Sequence, residues 1–319
     1  MEKMVIGIDI GGTFTKYGFV SQHGEMFHEG SLETDKHDRV EDYIEELCSI
    51  LHRVKDENNI DVAGIGVGAP NGNYYTGAIE NAPNLRWKGY IDLVSLFSKH
   101  FNIPVVVTND ANAAAHGELI YGNGKGMKHF IMITLGTGLG SGFVVDGKVV
   151  YGHDGFAGEL GHTTAIPGGR ECGCGKRGCL ETYVSAPGIK KTLFELFVND
   201  LGPSDLRSFS FDELDARMIT DAAKTGDPIA LKAFDYTGRI LGMKLADAVA
   251  HTSPEAFFLF GGLALAGDMI FAPAKKYMEE YLLSNFRNKV KILPSALINK
   301  NVAILGAGAL SWDEIKSGH

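Results

Sequence analysis

The chain has 319 residues, of which 45% are hydrophobic and 22% are charged, and its formal net charge is −9. This composition is typical of a globular protein that is large enough for two domains with separate cores. The acidic balance and the absence of a long basic run argue against nucleic-acid binding as the main activity. No apolar run is long enough to span a bilayer, and Asp9 interrupts the N-terminus before a signal-peptide core could form. We therefore expect a cytoplasmic protein with no membrane partner.

The first predicted element, over residues 4–20, is a strand, a tight glycine turn and a second strand. Walker and Rossmann loops run from a strand into a helix, so this strand-to-strand turn is neither of them. The backbone amides of Gly11, Gly12 and Thr13 nevertheless suit phosphate oxygens. Asp9, at the end of the strand, could hold Mg²⁺ through water. The alternative is a plain hairpin with a convenient turn, and these residues alone do not decide between the two.

Residues 39–54 carry apolar side chains at helical spacing, and residues 62–67 read as a short buried strand. The polar loop after this strand contains Asn81 and Asn84. Loops at the ends of buried strands are where α/β proteins bind ligands, so these asparagines could exchange hydrogen bonds with sugar hydroxyls. Ordinary turn chemistry explains asparagines in such a loop equally well.

A strand at Val105–Val107 leads at once into Asn109 and Asp110, and an alanine-rich helix begins there. Asp110 therefore lies at a strand-to-helix junction, where an N-cap is expected. The alternative role for Asp110 is that of a catalytic carboxylate.

Residues 129–150 repeat the strand, glycine turn and strand of the N-terminus, and Thr137 and Gly138 lie in the second turn. Two copies of one unit indicate an internal duplication into two related domains. Two such turns facing each other across a cleft could hold a nucleoside triphosphate. A third glycine element follows a buried strand, and Gly261 and Gly262 there would allow close approach of an adenosine ring.

The remaining elements fill the second half of the chain. Residues 199–211 are expected to form a surface connection, and Val302–Leu305 is expected to be a strand that leads into a closing helix. Helices are predicted at residues 186–198, 212–224, 229–251 and 268–286.

Residues 159–181 combine three closely spaced cysteines with one histidine. Three thiolates and an imidazole suit tetrahedral zinc, and the predicted ligands are His162, Cys172, Cys174 and Cys179. The alternative is a disulfide and one free thiol, which an odd cluster without signs of export disfavours. The spacing Cys-x-Cys-x4-Cys is not the commonest finger pattern, so zinc stays a prediction here.

Several signatures now stand in order along the chain: DIGGT, NDANAAA, GTGLGSG, ELGH with CGCGKRGCLE, and FGG. Over essentially its whole length the sequence resembles the ROK family of sugar kinases and repressors, and within it the bacterial glucokinase branch. The resemblance implies a duplicated actin-like (ribonuclease H-like) α/β ATPase fold with two domains around a cleft. We expect a smaller domain from residues 1–113 with 303–319, and a larger one from residues 114–302 that carries the zinc loop.

The resemblance also implies ATP-dependent phosphorylation of a hexose, with ATP, Mg²⁺ and a structural Zn²⁺ bound, in a homodimer. Asp110 matches the family's base toward the sugar hydroxyl, and Asn109 would hold neighbouring hydroxyls. Other matches are sugar-binding positions at Glu159, His162 and Glu181, phosphate-binding turns at Gly12, Thr13 and Gly138, and an adenosine element at Gly262.

The choice of substrate stays open at this point. The 6-hydroxyl of glucose is the first choice, and kinases of N-acetylhexosamines or of fructose share every motif named above. Asn71 stands where many relatives carry glycine, in a loop that touches the sugar in this family. A sugar-sensing regulator without turnover is the competing class. We expect it less, because Asp110, Thr13 and Gly138 are present and DIGGT begins at residue 9, which leaves no room for a preceding DNA-binding helix-turn-helix.

Overall fold

The computed structural model describes residues 3–297 and 300–317, and the chain divides into two compact α/β units. Unit 1 comprises Met1–Met127, Val149–Gly158 and Ala296–His319, and unit 2 comprises Lys128–Lys148 and Glu159–Ser295. Residues 114–127, 149–158 and 296–302 thus group with unit 1, whereas the sequence places them in the larger domain. The first of these stretches continues the helix that begins at Asp110, so it stays with that residue.

The strands are short and follow the glycine-bounded apolar runs of the sequence. In chain order they are β1 (Lys3–Ile10), β2 (Phe14–Ser21), β3 (Met26–Glu33), β4 (Asp61–Ala69), β5 (Gly72–Asn73), β6 (Ala78–Glu80), β7 (Tyr90–Asp92), β8 (Val105–Asn109), β9 (Phe130–Leu135), β10 (Leu139–Val145), β11 (Lys148–Val149), β12 (Ala256–Phe260) and β13 (Lys291–Pro294).

The α-helices are α1 (Val40–Glu57), α2 (Leu93–Ser98), α3 (Asp110–Tyr121), α4 (Ala186–Asn199), α5 (Ala216–Lys224), α6 (Pro228–Thr252), α7 (Asp268–Tyr281) and α8 (Val302–Ser317). Short 3-10 turns occur at Leu160–His162, Leu180–Thr182, Asp205–Ser208, Ala264–Ala266 and Ser284–Phe286.

Each unit contains a five-stranded sheet of the same topology. In unit 1 the strand order is β3-β2-β1-β4-β8, and in unit 2 it is β11-β10-β9-β12-β13. In both sheets a strand pairs antiparallel with the strand that follows it in the chain and parallel with a later one, and a further parallel strand closes the edge. The predicted duplication is therefore confirmed, because one sheet pattern is built twice.

The sheet of unit 1 is covered on both faces. Alternate residues of β1, from Ile6 to Ile10, belong to the core that Tyr43 and Leu47 of α1 share. On the opposite face α8 approaches the strands at glycines, and a Cβ atom at Gly66 would lie 1.8 Å from the carbonyl oxygen of Ala307. The backbone of α8 therefore rests directly on the backbone of the sheet.

The predicted strand at Val302–Leu305 is wrong, because these residues begin helix α8. The physical reason is burial on all sides. Ten residues of α8 are buried, so its sequence shows an apolar run without a helical stripe. Such a run cannot be distinguished from a buried strand by periodicity.

The core of unit 2 lies between its sheet and the helices that follow it. Ile131, Ile133 and Leu135 of β9 pack in one cluster with buried residues of α4, α5, α6 and α7. Helix α6 runs for 25 residues and buries 14 of them, so it is the central support of this unit. Within the residues that the structure describes, no helix is sufficiently long and apolar to cross a membrane.

The contact between α8 and the sheet gives a test of the fold. Gly66→Ala places a methyl group against the backbone of Ala307, and neither helix nor strand can yield without losing packing. We expect the unfolding temperature of the variant to fall by about 5–10 °C, equivalent to roughly 3 kcal/mol. Gly136→Ala is the control, since a Cβ atom there meets nothing within 4 Å. Equal unfolding temperatures for the two variants would contradict the packing described here.

Candidate functional site

Unit 1 collects polar residues where its three parallel strands end. Asp9 of β1 pairs with Gly68 of β4, and Ala69 of β4 pairs with Asn109 of β8. The carboxyl ends of these strands therefore meet at one edge of the sheet, which is the usual ligand-binding edge of open α/β sheets. Asp9 and Asn109 were both predicted from the sequence as site residues, and the structure places them at this same edge.

Asp110 is the first residue of α3, and the capping role belongs to its neighbour. The Asn109 side-chain oxygen accepts hydrogen bonds from the backbone nitrogens of Ala111 (2.8 Å) and Asn112 (3.1 Å). The side-chain oxygen of Asn109 therefore caps the helix. One Asp110 oxygen accepts from Ala111 nitrogen at 2.8 Å, and the residue as a whole is exposed to solvent. A reactant can therefore reach the Asp110 carboxylate.

Asp9 and Asp110 form an acidic pair with raised pKa values. Burial raises the pKa of Asp9 to about 6, the negative charge of Asp110 adds to this shift, and Lys16 opposes it. Loss of hydration among the surrounding protein atoms likewise raises the pKa of Asp110, although backbone hydrogen bonds counteract it. Two carboxylates that repel each other favour a proton or a cation close to them. This arrangement suits a divalent metal ion such as Mg²⁺.

The glycine turn after β1 packs against the asparagine loop of the same unit. Gly11 nitrogen donates to the carbonyl of Phe14 at 3.0 Å, which closes the turn. A Cβ atom at Gly12 would lie 2.6 Å from the carbonyl oxygen of Asn84. The turn predicted to bind phosphate and the loop predicted to bind sugar are therefore in direct contact, with Thr13 and Asn84 both exposed.

The loop that carries Asn81 is held in place by Asn71. Both residues have left-handed backbone conformations, with φ of 55° at Asn81 and 51° at Asn71. The Asn71 amide nitrogen donates to the carbonyl oxygens of Glu80 (2.9 Å) and Asn81 (3.4 Å). Asparagine tolerates this conformation better than most residues do, so Asn71 can occupy a position that favours glycine. Its side chain then supports the backbone of the loop.

Unit 2 brings the four predicted metal ligands together. One ligand atom from each of His162, Cys172, Cys174 and Cys179 lies within 4.8 Å of all the others. The Cys174 and Cys179 sulfurs are 3.6 Å apart, and the Cys172 sulfur lies 3.6 Å from Nδ1 of His162. Ligands of a tetrahedral zinc ion with Zn–S bonds of about 2.3 Å are separated by roughly 3.7 Å. The four residues therefore fit a closed tetrahedral site, and all four cysteines of the chain are free thiols.

Glu181 connects this cluster to the second glycine turn. One of its carboxylate oxygens accepts from Leu139 nitrogen at 3.0 Å, and the other lies 3.8 Å from the Cys172 sulfur. A Cβ atom at Gly138 would lie 2.4 Å from the first of these oxygens. Glu181, whose carboxylate is predicted to bind sugar, thus contacts both the turn predicted to bind phosphate and the cysteine cluster. The exposed Thr137 lies in the same turn.

Glu159 precedes the 3-10 turn Leu160–His162, and His162 is the last residue of that turn. Nε2 of His162 lies 4.0 Å from a Glu159 oxygen, while Nδ1 faces the cysteine cluster. The two ring nitrogens therefore face different groups, Nδ1 the cysteine cluster and Nε2 the Glu159 carboxylate. Leu160 nitrogen donates to the hydroxyl of Ser141 at 3.1 Å, which fixes this turn on β10.

The two glycines after β12 differ in their surroundings. Gly261 has a φ of 102°, and a Cβ atom there would lie 2.5 Å from the carbonyl oxygen of Leu135. It is required for the close approach of two backbone segments. A Cβ atom at Gly262 would meet nothing within 4 Å, so the space beside Gly262 is open.

Arg170 is a residue that the sequence reasoning missed. Its guanidinium donates to the carbonyl oxygens of Thr182 (2.8 Å) and Gly188 (3.0 Å), pairs with Glu195, and lies over the Tyr183 ring. It thereby fastens the cysteine loop to α4. No local pattern marks this residue, because its partners lie 12 to 25 positions away in the chain.

The sequence model of the ROK family matches residues 5–314. The chain belongs to the ROK family. Its two units, each with the sheet described above, are the two domains of the duplicated actin-like ATPase fold that ROK sugar kinases share.

Three ROK relatives illustrate the range of similarity. A glucokinase of Halalkalibacterium halodurans is 35% identical, and the match covers 97% of this chain and 95% of that protein. The solved structure of a ROK family glucokinase from Streptomyces griseus, in complex with glucose and AMPPNP, is 31% identical with a TM-score of 0.81 and covers 97% and 99% of the two chains. A xylose repressor of Bacillus spizizenii is 28% identical over 96% of this chain and 76% of the repressor.

Because Asp9 lies beside Asp110 with a raised pKa, removing the charge of Asp9 should stabilise this ROK protein, and the gain should be larger at higher pH. The ionised form of Asp9 destabilises the fold above its folded pKa of about 6, and the effect vanishes below the unfolded pKa of 3.8. We expect Asp9→Asn to raise the free energy of unfolding by up to about 3 kcal/mol at pH 7.5 and by about 1 kcal/mol at pH 4.5.

Denaturant unfolding at both pH values, without nucleotide or metal, measures this difference. Asp61→Asn is the matched control, because Asp61 is exposed at the opposite end of the same sheet. An Asp9→Asn protein no more stable than the wild type at pH 7.5 would contradict the prediction.

Proposed function

We infer that the chain is an ATP-dependent glucokinase, which transfers the γ-phosphate of ATP to the 6-hydroxyl of glucose. The observation that carries this proposal is the match to glucokinases over 95% or more of both chains, one of them solved with glucose and AMPPNP. The accessible carboxylate of Asp110 at the start of α3 supports it, because such a group is what phosphoryl transfer to an alcohol requires.

Asp110 acts as the general base in this proposal. An ordinary aspartate has a pKa of about 3.9 and cannot remove a proton from a free alcohol beforehand. Asp110 accepts the hydroxyl proton while the bond to phosphorus forms, and it aligns the oxygen with the γ-phosphate. Its raised pKa makes it a stronger base than an aspartate with the ordinary pKa. Asn109 holds the backbone of this junction through its capping bonds.

The nucleotide is assigned to the glycine turns. Backbone amides and hydroxyls there suit phosphate oxygens, and the residues proposed are Gly11, Gly12, Thr13, Thr137 and Gly138, with Gly261 and Gly262 toward adenosine. When Mg²⁺ is bound, the metal neutralises charge on the phosphates. Asp9 would hold this cation, and its negative charge beside Asp110 fits that role.

Glucose is assigned to polar residues whose oxygens and nitrogens suit a polyol. They are Asn81, Asn84, Asn109, Asp110, Glu159, His162 and Glu181. Carboxylates accept from hydroxyl donors, and an imidazole nitrogen can take either role. The 4.0 Å separation of Glu159 and His162 lets both side chains approach one ligand.

We propose that the metal of the cysteine cluster is zinc and that it is structural. Three thiolates and Nδ1 of His162 would supply the four ligands of a tetrahedral zinc ion, which would leave no coordination position for a substrate. The metal would fix the loop that presents Glu159, His162 and Glu181. The contact of Glu181 with Cys172 supports this coupling. A homodimer and a cytoplasmic location stay predictions from the family resemblance and the composition.

The repressor relatives make a sugar-responsive regulator the second candidate. Turnover distinguishes the two, and a coupled assay of ADP release with ATP and Mg²⁺ measures it. The panel of sugars is glucose, N-acetylglucosamine, N-acetylmannosamine, mannose and fructose. We expect glucose to give the highest kcat/KM. Absence of ADP release with every sugar would exclude the kinase proposal, and a preference for another sugar would correct the substrate.

Asp110→Asn tests the proposed base in the same assay. The amide cannot accept the proton, so we expect kcat to fall by about 10²- to 10⁴-fold while glucose still binds. Asp92→Asn is the control, because Asp92 caps α2 of the same unit and asparagine can replace it in that role. Calorimetry with glucose checks binding. Retained turnover of Asp110→Asn would show that Asp110 is not the base.

Cys174→Ser tests the metal site. Loss of one thiolate should release the metal and raise the glucose KM, with little change in the KM for ATP. Metal analysis of the purified wild type and variant measures occupancy, and Cys48→Ala is the control because Cys48 lies in the core of unit 1. Unchanged glucose affinity in a protein verified to be metal-free would contradict the structural role.

A further inference from the structure

One segment of the chain, Val149–Gly158, groups with unit 1 although unit 2 lies on both sides of it in the sequence. We name it the crossover segment. The residue that follows it at once is Glu159, whose carboxylate is proposed to bind sugar. Side-chain hydrogen bonds and a stacked ring pair hold this segment on unit 1, and a plain linker would not need them.

Tyr151 makes the first set of these contacts. Its hydroxyl lies 2.8 Å from Nε2 of His116, a buried residue of α3. Its ring stacks on the ring of Tyr74 with 4.1 Å between centroids and an angle of 4° between planes. The Tyr74 hydroxyl donates in turn to Glu314 of α8 at 2.5 Å. Tyr151 is thereby bound to α3 directly and to α8 through Tyr74.

Asn73 makes a second, independent set. Its side chain is buried, and its amide nitrogen donates to the carbonyl oxygen of Asp154 at 2.7 Å. Its side-chain oxygen accepts from Tyr75 nitrogen at 2.9 Å, and the Tyr75 hydroxyl donates to the carbonyl of Gly152 at 2.9 Å. At Gly155 a Cβ atom would lie 2.2 Å from the Asn73 side-chain oxygen, so the segment rests directly on this residue.

The three glycines of the segment give it little stiffness of its own. Gly152, Gly155 and Gly158 have φ values of 77°, 90° and 101°, and glycine has the largest conformational freedom of any residue. The Ala157 nitrogen donates to the carbonyl of Tyr151 at 3.0 Å, so fixing Tyr151 also fixes the far end of the segment. Burial lowers the pKa of His116 to about 4, and its imidazole is therefore neutral in the bond with Tyr151 at neutral pH.

We propose that Tyr151 and Asn73 are positioning residues for sugar binding, which hold the crossover segment in one conformation before the sugar arrives. The inference rests on the proposed glucokinase activity and deepens it. Ordering a glycine-rich segment costs conformational entropy, and a segment ordered in advance does not add that cost to binding. Through the hydrogen bond between His116 and Tyr151, α3, the helix that begins with Asp110, helps to hold the peptide that leads into Glu159.

Tyr151→Phe is the principal test, because it removes one hydroxyl and keeps the stacked ring. We expect the glucose KM to rise about fivefold, the usual effect of one lost hydrogen bond. The kcat and the KM for ATP should stay within about twofold of the wild type, since bound sugar restores the same conformation. Amide hydrogen exchange of the protein without ligands should be faster in residues 149–158.

Tyr121→Phe is the matched control. Tyr121 belongs to the same helix, and its hydroxyl donates over 3.5 Å to the carbonyl of Ser21, away from the crossover segment. We expect neither its glucose KM nor the exchange of residues 149–158 to change. Asn73→Ala is the second variant, because it removes the bond to Asp154 and should give the same KM signature as Tyr151→Phe. Since both act on one segment, the double variant should show less than the product of the two effects.

The failure of this inference and the failure of the proposed function give different results. If the wild type phosphorylates no sugar, the proposed function is wrong, and calorimetry with glucose then compares the same variants. If the wild type is active and both variants keep its glucose KM, the positioning role is wrong, whatever the exchange rates show. A fall in kcat without a change in glucose KM would also overturn it, because positioning for binding predicts the opposite pattern.

Discussion

Close approach of backbone to backbone at glycine is the constraint on which the rest of this structure depends. A Cβ atom at Gly306 would lie 1.9 Å from the carbonyl oxygen of Ala113, and one at Gly161 would lie 2.1 Å from that of Leu139. The same kind of contact sets the glycine turn of unit 1 against Asn84. At these contacts the helices and loops of the candidate site lie so close to neighbouring backbone that only glycine fits. Because these helices and loops are packed so closely, the side chains that they carry have little freedom to move.

The duplicated sheet then explains why the site residues recur at equivalent places. In each unit a glycine turn connects the first two antiparallel strands, β1 with β2 and β9 with β10. Each turn also contacts the element proposed to bind sugar in its own unit, Asn84 in the first and Glu181 in the second. Contacts between the elements proposed to bind phosphate and those proposed to bind sugar are thus built into each unit separately.

Much of the site could be predicted, because its signals are local. Asp9 and Asp110 stand at strand ends that glycine and alanine mark in the sequence, and the cysteine spacing alone suggested the metal cluster. The capping role of Asn109 in place of Asp110 was not predictable, since both residue types favour that position. Arg170, Asn73 and Tyr151 were missed because their partners are distant in the chain. Helix α8 was misjudged at its start because burial on all sides removes the periodicity that identifies helices.

The burial of helix α3 limits which substitutions this part of the protein can tolerate. Eight consecutive residues, from Ala111 to Glu118, are buried, so the helix has no solvent-facing side on which substitutions are harmless. A change of side-chain volume within it would disturb the packing that supports the carboxylate at its first residue. The loop that Asn71 supports is different, because it includes exposed positions such as Asn81, where substitutions meet fewer neighbours. Packing therefore restrains the junction that carries the proposed base more tightly than it restrains this loop.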